Sequence, residues 1–242
     1  MVTHTTEIIV VDTLNAIQNN LYAETLRKKG KAAFDDWTDY GVDIYLFMED
    51  LKKMGFETVL VLGKEGSGKS FGMKTLAPGS FVWFNADMKN FTFKTTGDKE
   101  LAKRLYGSKQ SPGILQRQPT KYADIIKDCK MLQSGITVED ETFVMGEHPV
   151  AFLIGHTEEY KASEGEIKTR LKVLGKLATK MQIEGGVEHC YYSEMVIEGG
   201  KVKGRFRTQN SGSDTARSPE GMFEDLYIPN DYSLIFNAIR NY

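Results

Sequence analysis

Val59-Leu60-Val61-Leu62-Gly63-Lys64-Glu65-Gly66-Ser67-Gly68-Lys69-Ser70-Phe71 is the stretch that decides the fold: four apolar residues run into a complete Gly-x-x-x-x-Gly-Lys-Ser loop. In such a loop the glycines let successive backbone N–H groups converge on phosphate oxygens. Lys69 reaches the terminal phosphates, and the Ser70 hydroxyl takes one position on Mg²⁺. The pattern predicts a buried strand over 58–62 and a helix from Gly68 to Leu76, whose dipole adds to the loop, stopped at Ala77-Pro78-Gly79. Strand, loop and helix in this order predict an α/β protein with a central, mainly parallel sheet between helical layers. The expected ligand is a nucleoside triphosphate with Mg²⁺, held by the loop from Gly63 to Phe71. No Asn-Lys-x-Asp guanine-reading motif follows, which favours ATP over GTP.

Composition narrows the class. The 242 residues fit one large α/β domain over 1–242, with enough length to bury a sizeable core. A net charge of −2 excludes a surface that is basic throughout, so any contact with nucleic acid comes from a local patch. Cys129 and Cys190 are isolated thiols suited to a reducing cytoplasm. His4, His148, His156 and His189 are scattered without zinc-ligand spacing. No apolar run approaches the roughly 18 residues of a membrane span, and no signal-peptide pattern opens the chain.

Outward from the loop, Glu7–Asp12 reads as a buried parallel strand followed by a helix over Leu14–Leu26 and an exposed basic loop at 27–31. Asp39 is positioned to cap a helix that runs to Gly55. Phe81–Phe84 is a third buried strand, and 98–106 and 120–133 read as helical. Residues 136–149 form a small antiparallel β excursion ahead of the strand Val150–Ile154. A polar stretch, Glu158–Thr169, leads to a helix over Leu171–Met181. Residues 189–208 form a β-hairpin turning at Glu198-Gly199-Gly200, with one basic face. Asp231 or Asn230 caps a closing amphipathic helix.

Nucleotide hydrolysis needs an acid near the metal, supplied by a neighbouring strand end. Asp12, closing Ile8-Ile-Val-Val11, has the Walker B pattern, and its carboxylate is the second metal candidate beside Ser70; the bland alternative is a helix cap. Asp87, after Phe81–Phe84, is the candidate for polarising the attacking water, and a solvated turn residue otherwise. His156 closes another strand in Gly-His-Thr, either as a γ-phosphate sensor or as a hydrogen-bonded structural residue. Arg205 and Arg207 are candidates for stabilising phosphate charge, within the chain or across subunits, or form the solvated face of the hairpin.

With these pieces placed, the chain resembles the phage RecA-like ATPases of the Sak single-strand-annealing type. The carriers are residues 61–70, Phe84-Asn-Ala-Asp87, Ile9–Thr13, Leu153-Ile-Gly-His156, and the tail segments 218–224 and 228–232. The resemblance implies an ATPase of phage recombination or replication acting on single-stranded DNA in the bacterial host cytoplasm, with oligomerisation possible. It matches Asp87 to the catalytic acid, Asp12 to the Walker B acid and His156 to the sensor. One departure is large: in that family the phosphate loop comes first, whereas here the Asp12 strand and its helix precede it. Exchanging the connections into two neighbouring strands, at Val59 and Ala151, leaves the same parallel sheet. The resemblance also places DNA-binding elements at 157–169; Lys161, Lys168, Arg170 and Lys172, in and just after that stretch, offer phosphate contacts or are simply solvated. Tyr191 and Tyr192 offer base stacking, or pack on opposite faces of a strand. Two other functions remain open: a small-molecule phosphotransferase resembling a nucleotide kinase, with Asn210–Glu220 and Arg217 as its lid, and a module that holds ATP without hydrolysing it.

Overall fold

A computed structural model describes residues 2–77, 79–89, 115–138, 140–162, 165–174 and 183–242. The expected helix at 98–106 lies outside the described residues. So does 175–182, the greater part of the helix expected over Leu171–Met181.

The sequence alternation in the apolar runs becomes two opposite cores. β1 (Val2–Asp12), β2 (Glu57–Gly63), β3 (Phe81–Asn85) and the centre of β6 (Glu141–Lys161) are buried on both faces. Ile9, Val11, Leu60, Leu62, Val82, Phe84, Ala151 and Leu153 point one way. They pack under α1 (Leu14–Lys29), α2 (Phe34–Lys53) and α3 (Tyr122–Ser134), through Ile17, Ile44, Phe47, Leu51, Ile125 and Leu132. Ile8, Val10, Val59, Val61, Trp83, Phe152 and Ile154 point the other way, onto Tyr232 and Ile235 of α4 (Tyr232–Asn241). Period-2 alternation of uniformly apolar residues is what a strand covered on both faces requires.

Among the described residues the sheet has ten strands. Its path runs β10 (Tyr227–Pro229), β9 (Lys201–Arg207), β8 (His189–Glu198), β2, β6, β1, β3 and β4 (Leu115–Arg117). From β8 to β4 every pairing on this path is parallel. β2 lies beside β6, with Val59 opposite Phe152 and Gly63 opposite His156, so the two strands whose incoming connections differ from the resembled family are parallel neighbours.

The β excursion is a hairpin of β5 (Ile136–Val138) with the start of β6, which runs on into the buried strand; Val2–Thr6 of β1 pairs along its other edge. The β8–β9 hairpin turns at Gly199 and Gly200 with φ of 57° and 75°, left-handed values that glycine adopts at least cost.

Several local expectations change. α1 continues through Lys29 to a left-handed cap at Gly30, so the first three residues of the basic stretch are helical, where three cations meet the negative helix end. α2 begins at Phe34, not near Asp39: Asp36 Oδ2 accepts from the Ala33 amide at 2.8 Å and caps the helix earlier. The segment after the glycine-rich loop is a 3₁₀ turn, Ser70–Thr75, rather than an α-helix over Gly68–Leu76. Gly72 has little helix propensity, and Thr75 Oγ1 donates to its carbonyl at 2.9 Å. The polar stretch after His156 is the end of β6, hairpinned with β7 (Ile167–Leu171), so Leu171 belongs to a strand rather than to a helix.

Candidate functional site

Three strand ends meet beside the glycine-rich loop. Asp12 ends β1, Gly63 ends β2, and Ala86-Asp87 follow β3, tied back by amide bonds from Ala86 (2.9 Å) and Asp87 (3.4 Å) to the Asp12 carbonyl. Thr13, not Asp12, caps α1, its hydroxyl accepting from the Ala16 amide at 3.2 Å. The Asp12 carboxylate is therefore available, and it accepts from Ser70 Oγ at 2.8 Å. Burial lifts its pKa to about 6 against the lowering effect of the Ser70 bond, and Asp87 adds further repulsion.

Lys69 is 6% exposed and donates from Nζ to the carbonyls of Gly63 (2.8 Å) and Lys64 (2.7 Å), with His156 Nδ1 at 3.4 Å. Burial lowers its pKa to about 8, partly offset by Asp12 and Glu65. His156 is pushed below the usual imidazole value, by burial first and then by the Lys69 ammonium. Its backbone amide donates to Asn15 Oδ1 at 2.7 Å.

The loop is shaped from outside. Gly66 and Gly68 have φ of 72° and 87°. Ser193 of β8 donates to the Ser67 carbonyl at 2.7 Å, Asn230 Nδ2 to the Gly68 carbonyl at 2.8 Å, and Tyr232 Oη to the Lys69 carbonyl at 2.8 Å. With these carbonyls turned outward, the amides of Gly66, Gly68 and Lys69 have no acceptor among the described residues. They open on a cleft of about 450 Å³ lined by Asp12, Thr13, Glu65 through Phe71, Asp87, Lys89, His156 and Met195. That volume falls within the roughly 300–1,000 Å³ of small-molecule sites. A larger groove between α2 and α3, lined by Leu46, Phe47, Ile126 and Met131, includes none of these residues.

Of the residues singled out from sequence, the fold gathers Asp12, Asp87, His156 and 65–71 into one cleft. Gly63 and Lys64 contribute carbonyls to Lys69, while the Lys64 side chain pairs with Glu159 at 2.6 Å. Asp87 is bonded to Lys89 Nζ at 2.7 Å rather than standing free. Arg207 does not join the cleft: it forms an ion pair at 2.6 Å with Asp214, whose side chain is fully buried. Arg205 pairs with Glu194 at 3.2 Å and covers the Tyr227 ring at 3.6 Å. Within this chain neither guanidinium reaches the loop. Tyr191 and Tyr192 pack into opposite cores, so neither is a stacking platform. Arg217 donates to the Glu184 carbonyl and does not line the cleft.

Sequence reasoning missed Lys89, Asn15, Ser193 and Met195. Asn230 and Tyr232 stood out from sequence as part of a helix start and of the tail segment 228–232, with no contact to the loop assigned to either. Asp231 takes the cap, accepting from the Leu234 amide at 2.9 Å, and so releases Asn230 for the loop.

The donor set fits a triphosphate and a divalent cation: three amides without acceptors, a buried ammonium, and a carboxylate–hydroxyl pair whose charge burial leaves poorly compensated. Among the described residues no helix is long and apolar enough to cross a membrane. No family model, no curated protein and no solved structure matches this chain.

Proposed function

We propose that this chain is a RecA-like P-loop ATPase that binds ATP with Mg²⁺, hydrolyses it, and acts on single-stranded DNA in phage recombination or replication. The observation that carries the reading is the 2.8 Å bond between Ser70 Oγ and Asp12 Oδ2, beside an ammonium donated to the loop's own carbonyls. The sheet supports it too, because β2 and β6 are parallel neighbours and β1 follows next, as the exchanged connections require.

The amides of Gly66, Gly68 and Lys69, with the Lys69 ammonium, would hold the phosphates. Ser70 and Asp12 would hold Mg²⁺, which when bound neutralises phosphate charge. Asp87 offers the base at the cleft wall. His156, kept neutral by burial and Lys69, offers a hydrogen bond that responds to the terminal phosphate. The β6–β7 hairpin, which continues β6 past His156, would carry that response toward DNA.

A second reading, ATP held without turnover, draws on the Asp87–Lys89 contact, since the Asp87 oxygen that accepts from Lys89 Nζ at 2.7 Å is engaged by that bond rather than turned to a water. Phosphate release from ATP, with and without single-stranded DNA, in parent and Lys69→Ala, separates the two. DNA-stimulated release that the variant lacks supports the ATPase. Binding without release in any condition supports the holding module. Stimulation by nucleoside monophosphates instead would indicate a kinase.

A further inference from the structure

At the end of β2 opposite the glycine-rich loop, Glu57, Glu188 and His189 each bring one ligand atom within 4.8 Å of the others. Parallel pairing sets Val59 beside His189. Glu57, two residues earlier on β2, therefore shares the face of the imidazole, and Glu188 directly precedes it. His189 Nε2 stands 3.5 Å from Glu57 Oε1, with the imidazole 3% and the Glu57 side chain 44% exposed. On its other side, Nδ1 lies 3.1 Å from Tyr191 Oη, which donates its own proton toward Met222 Sδ at 3.8 Å.

In the tautomer that carries its proton on Nδ1, the imidazole donates to the phenol oxygen and Nε2 presents a lone pair toward the two carboxylates. In that tautomer a lone pair and two carboxylates converge. Lys52, the ammonium on the wall of the same cleft, pairs with Glu49 at 3.5 Å. An imidazole oriented through its far nitrogen is the arrangement that metal-bound histidines adopt.

We propose that Glu57, Glu188 and His189 form a divalent-metal site of the zinc class, independent of the nucleotide cleft. One imidazole nitrogen with two carboxylate oxygens suits Zn²⁺ over Mg²⁺, which prefers oxygen alone. Three protein ligands leave a further position to water, supplied by the cleft that Lys52, His148 and Arg240 also line. The ion would clip the start of β2 to the start of β8, the two strands that further along carry the loop and Ser193.

The test is calorimetric titration of the chelator-treated full chain with Zn²⁺ alone, paired with the visible absorption of the Co²⁺ form. One equivalent should bind, and the Co²⁺ spectrum should show the strong bands of low coordination number. Glu57→Gln with Glu188→Gln, on the cleft rim, should weaken binding by more than about 100-fold, beyond what loss of a supporting residue gives. His189→Gln should do the same, and Tyr191→Phe should weaken binding about tenfold. Asp12→Asn should leave it unchanged. If His189→Gln does not fold, the rim pair decides. Absence of saturable binding, binding that survives the rim pair, or binding abolished by Asp12→Asn would overturn the proposal.

Discussion

Asp12 and Ser70 stand 58 residues apart in the chain, yet the serine hydroxyl donates to the carboxylate at 2.8 Å where β1 ends beside the glycine-rich loop. Burial raises the Asp12 pKa from 3.8 to about 6. A raised folded-state pKa contributes stability that is complete below about pH 4 and is lost as pH rises through 6. At neutral pH the ionised carboxylate thus costs up to about 3 kcal/mol.

Asp12→Asn keeps a partner for Ser70 and removes that charge. Measured by denaturant unfolding without nucleotide or metal, the variant should gain on the parent between pH 4 and pH 7, by up to about 3 kcal/mol. Mg²⁺-dependent ATP binding should disappear. A difference between the two proteins that does not change with pH would contradict this account.

Lys69 has the opposite sign. Its folded pKa is depressed to about 8, so its stability contribution is present above pH 10.5 and is lost as pH falls through 8. Above pH 8 the free protein holds a neutral amine, and ATP binding must take up a proton. Affinity measured by calorimetry should weaken between pH 8 and 9 by up to about tenfold, with a buffer-dependent enthalpy. Lys69→Arg should flatten the profile.

Asn230 sits among three glycines. A Cβ at Gly72 would meet its Oδ1, one at Gly68 would come within 3.0 Å of its Nδ2, and one at Gly204 within 2.9 Å. Asn230→Ala should cost about 1 kcal/mol by removing the bond to the Gly68 carbonyl, and should weaken ATP binding by loosening the loop. Gly72→Ala should be less harmful in the Asn230→Ala background. Coupling of at least about 0.5 kcal/mol in a double-mutant cycle is expected, and strict additivity would refute the cradle.

Arg207 compensates a buried charge. Its removal leaves Asp214 unpaired, and Arg207→Ala should destabilise the fold by about 3 kcal/mol. ATP affinity of the isolated chain should be unchanged. A variant of normal stability that loses only DNA-stimulated phosphate release would instead assign Arg207 to a neighbouring subunit's site.

The β6–β7 hairpin offers cations of unequal freedom. Arg170 pairs with Glu158 at 2.9 Å and covers the Tyr160 ring, and Lys168 stands 3.6 Å from Glu166. If this hairpin meets single-stranded DNA, replacing Lys161, Lys168 and Lys172 by Ala should lower the salt dependence of binding by about 0.7 for each phosphate no longer neutralised. An unchanged slope would move the DNA surface elsewhere.

What was legible beforehand was local. The loop, the buried strands, the Gly199-Gly200 turn and α3 each express a spacing of two or 3.6 residues, or a backbone angle that glycine allows, within a few neighbouring positions. The 3₁₀ turn at Ser70–Thr75 and the early start of α2 were harder, because each involves a single contact, Thr75 with the Gly72 carbonyl and Asp36 with the Ala33 amide. Short β4, β7 and β10 owe their existence to the strands beside them.

By itself, then, the amino-acid order determined a strand, a glycine-rich loop able to present its amides, and an acid at the end of another strand. Only the tertiary structure decided that this acid faces Ser70, that Asn230 closes on Gly68, that Arg207 answers Asp214, and that Glu57 meets His189. The reason is physical: periodicity and dihedral preference act over a few residues. Which strands become neighbours is instead settled by burying two apolar faces at once, and that condition involves the whole chain.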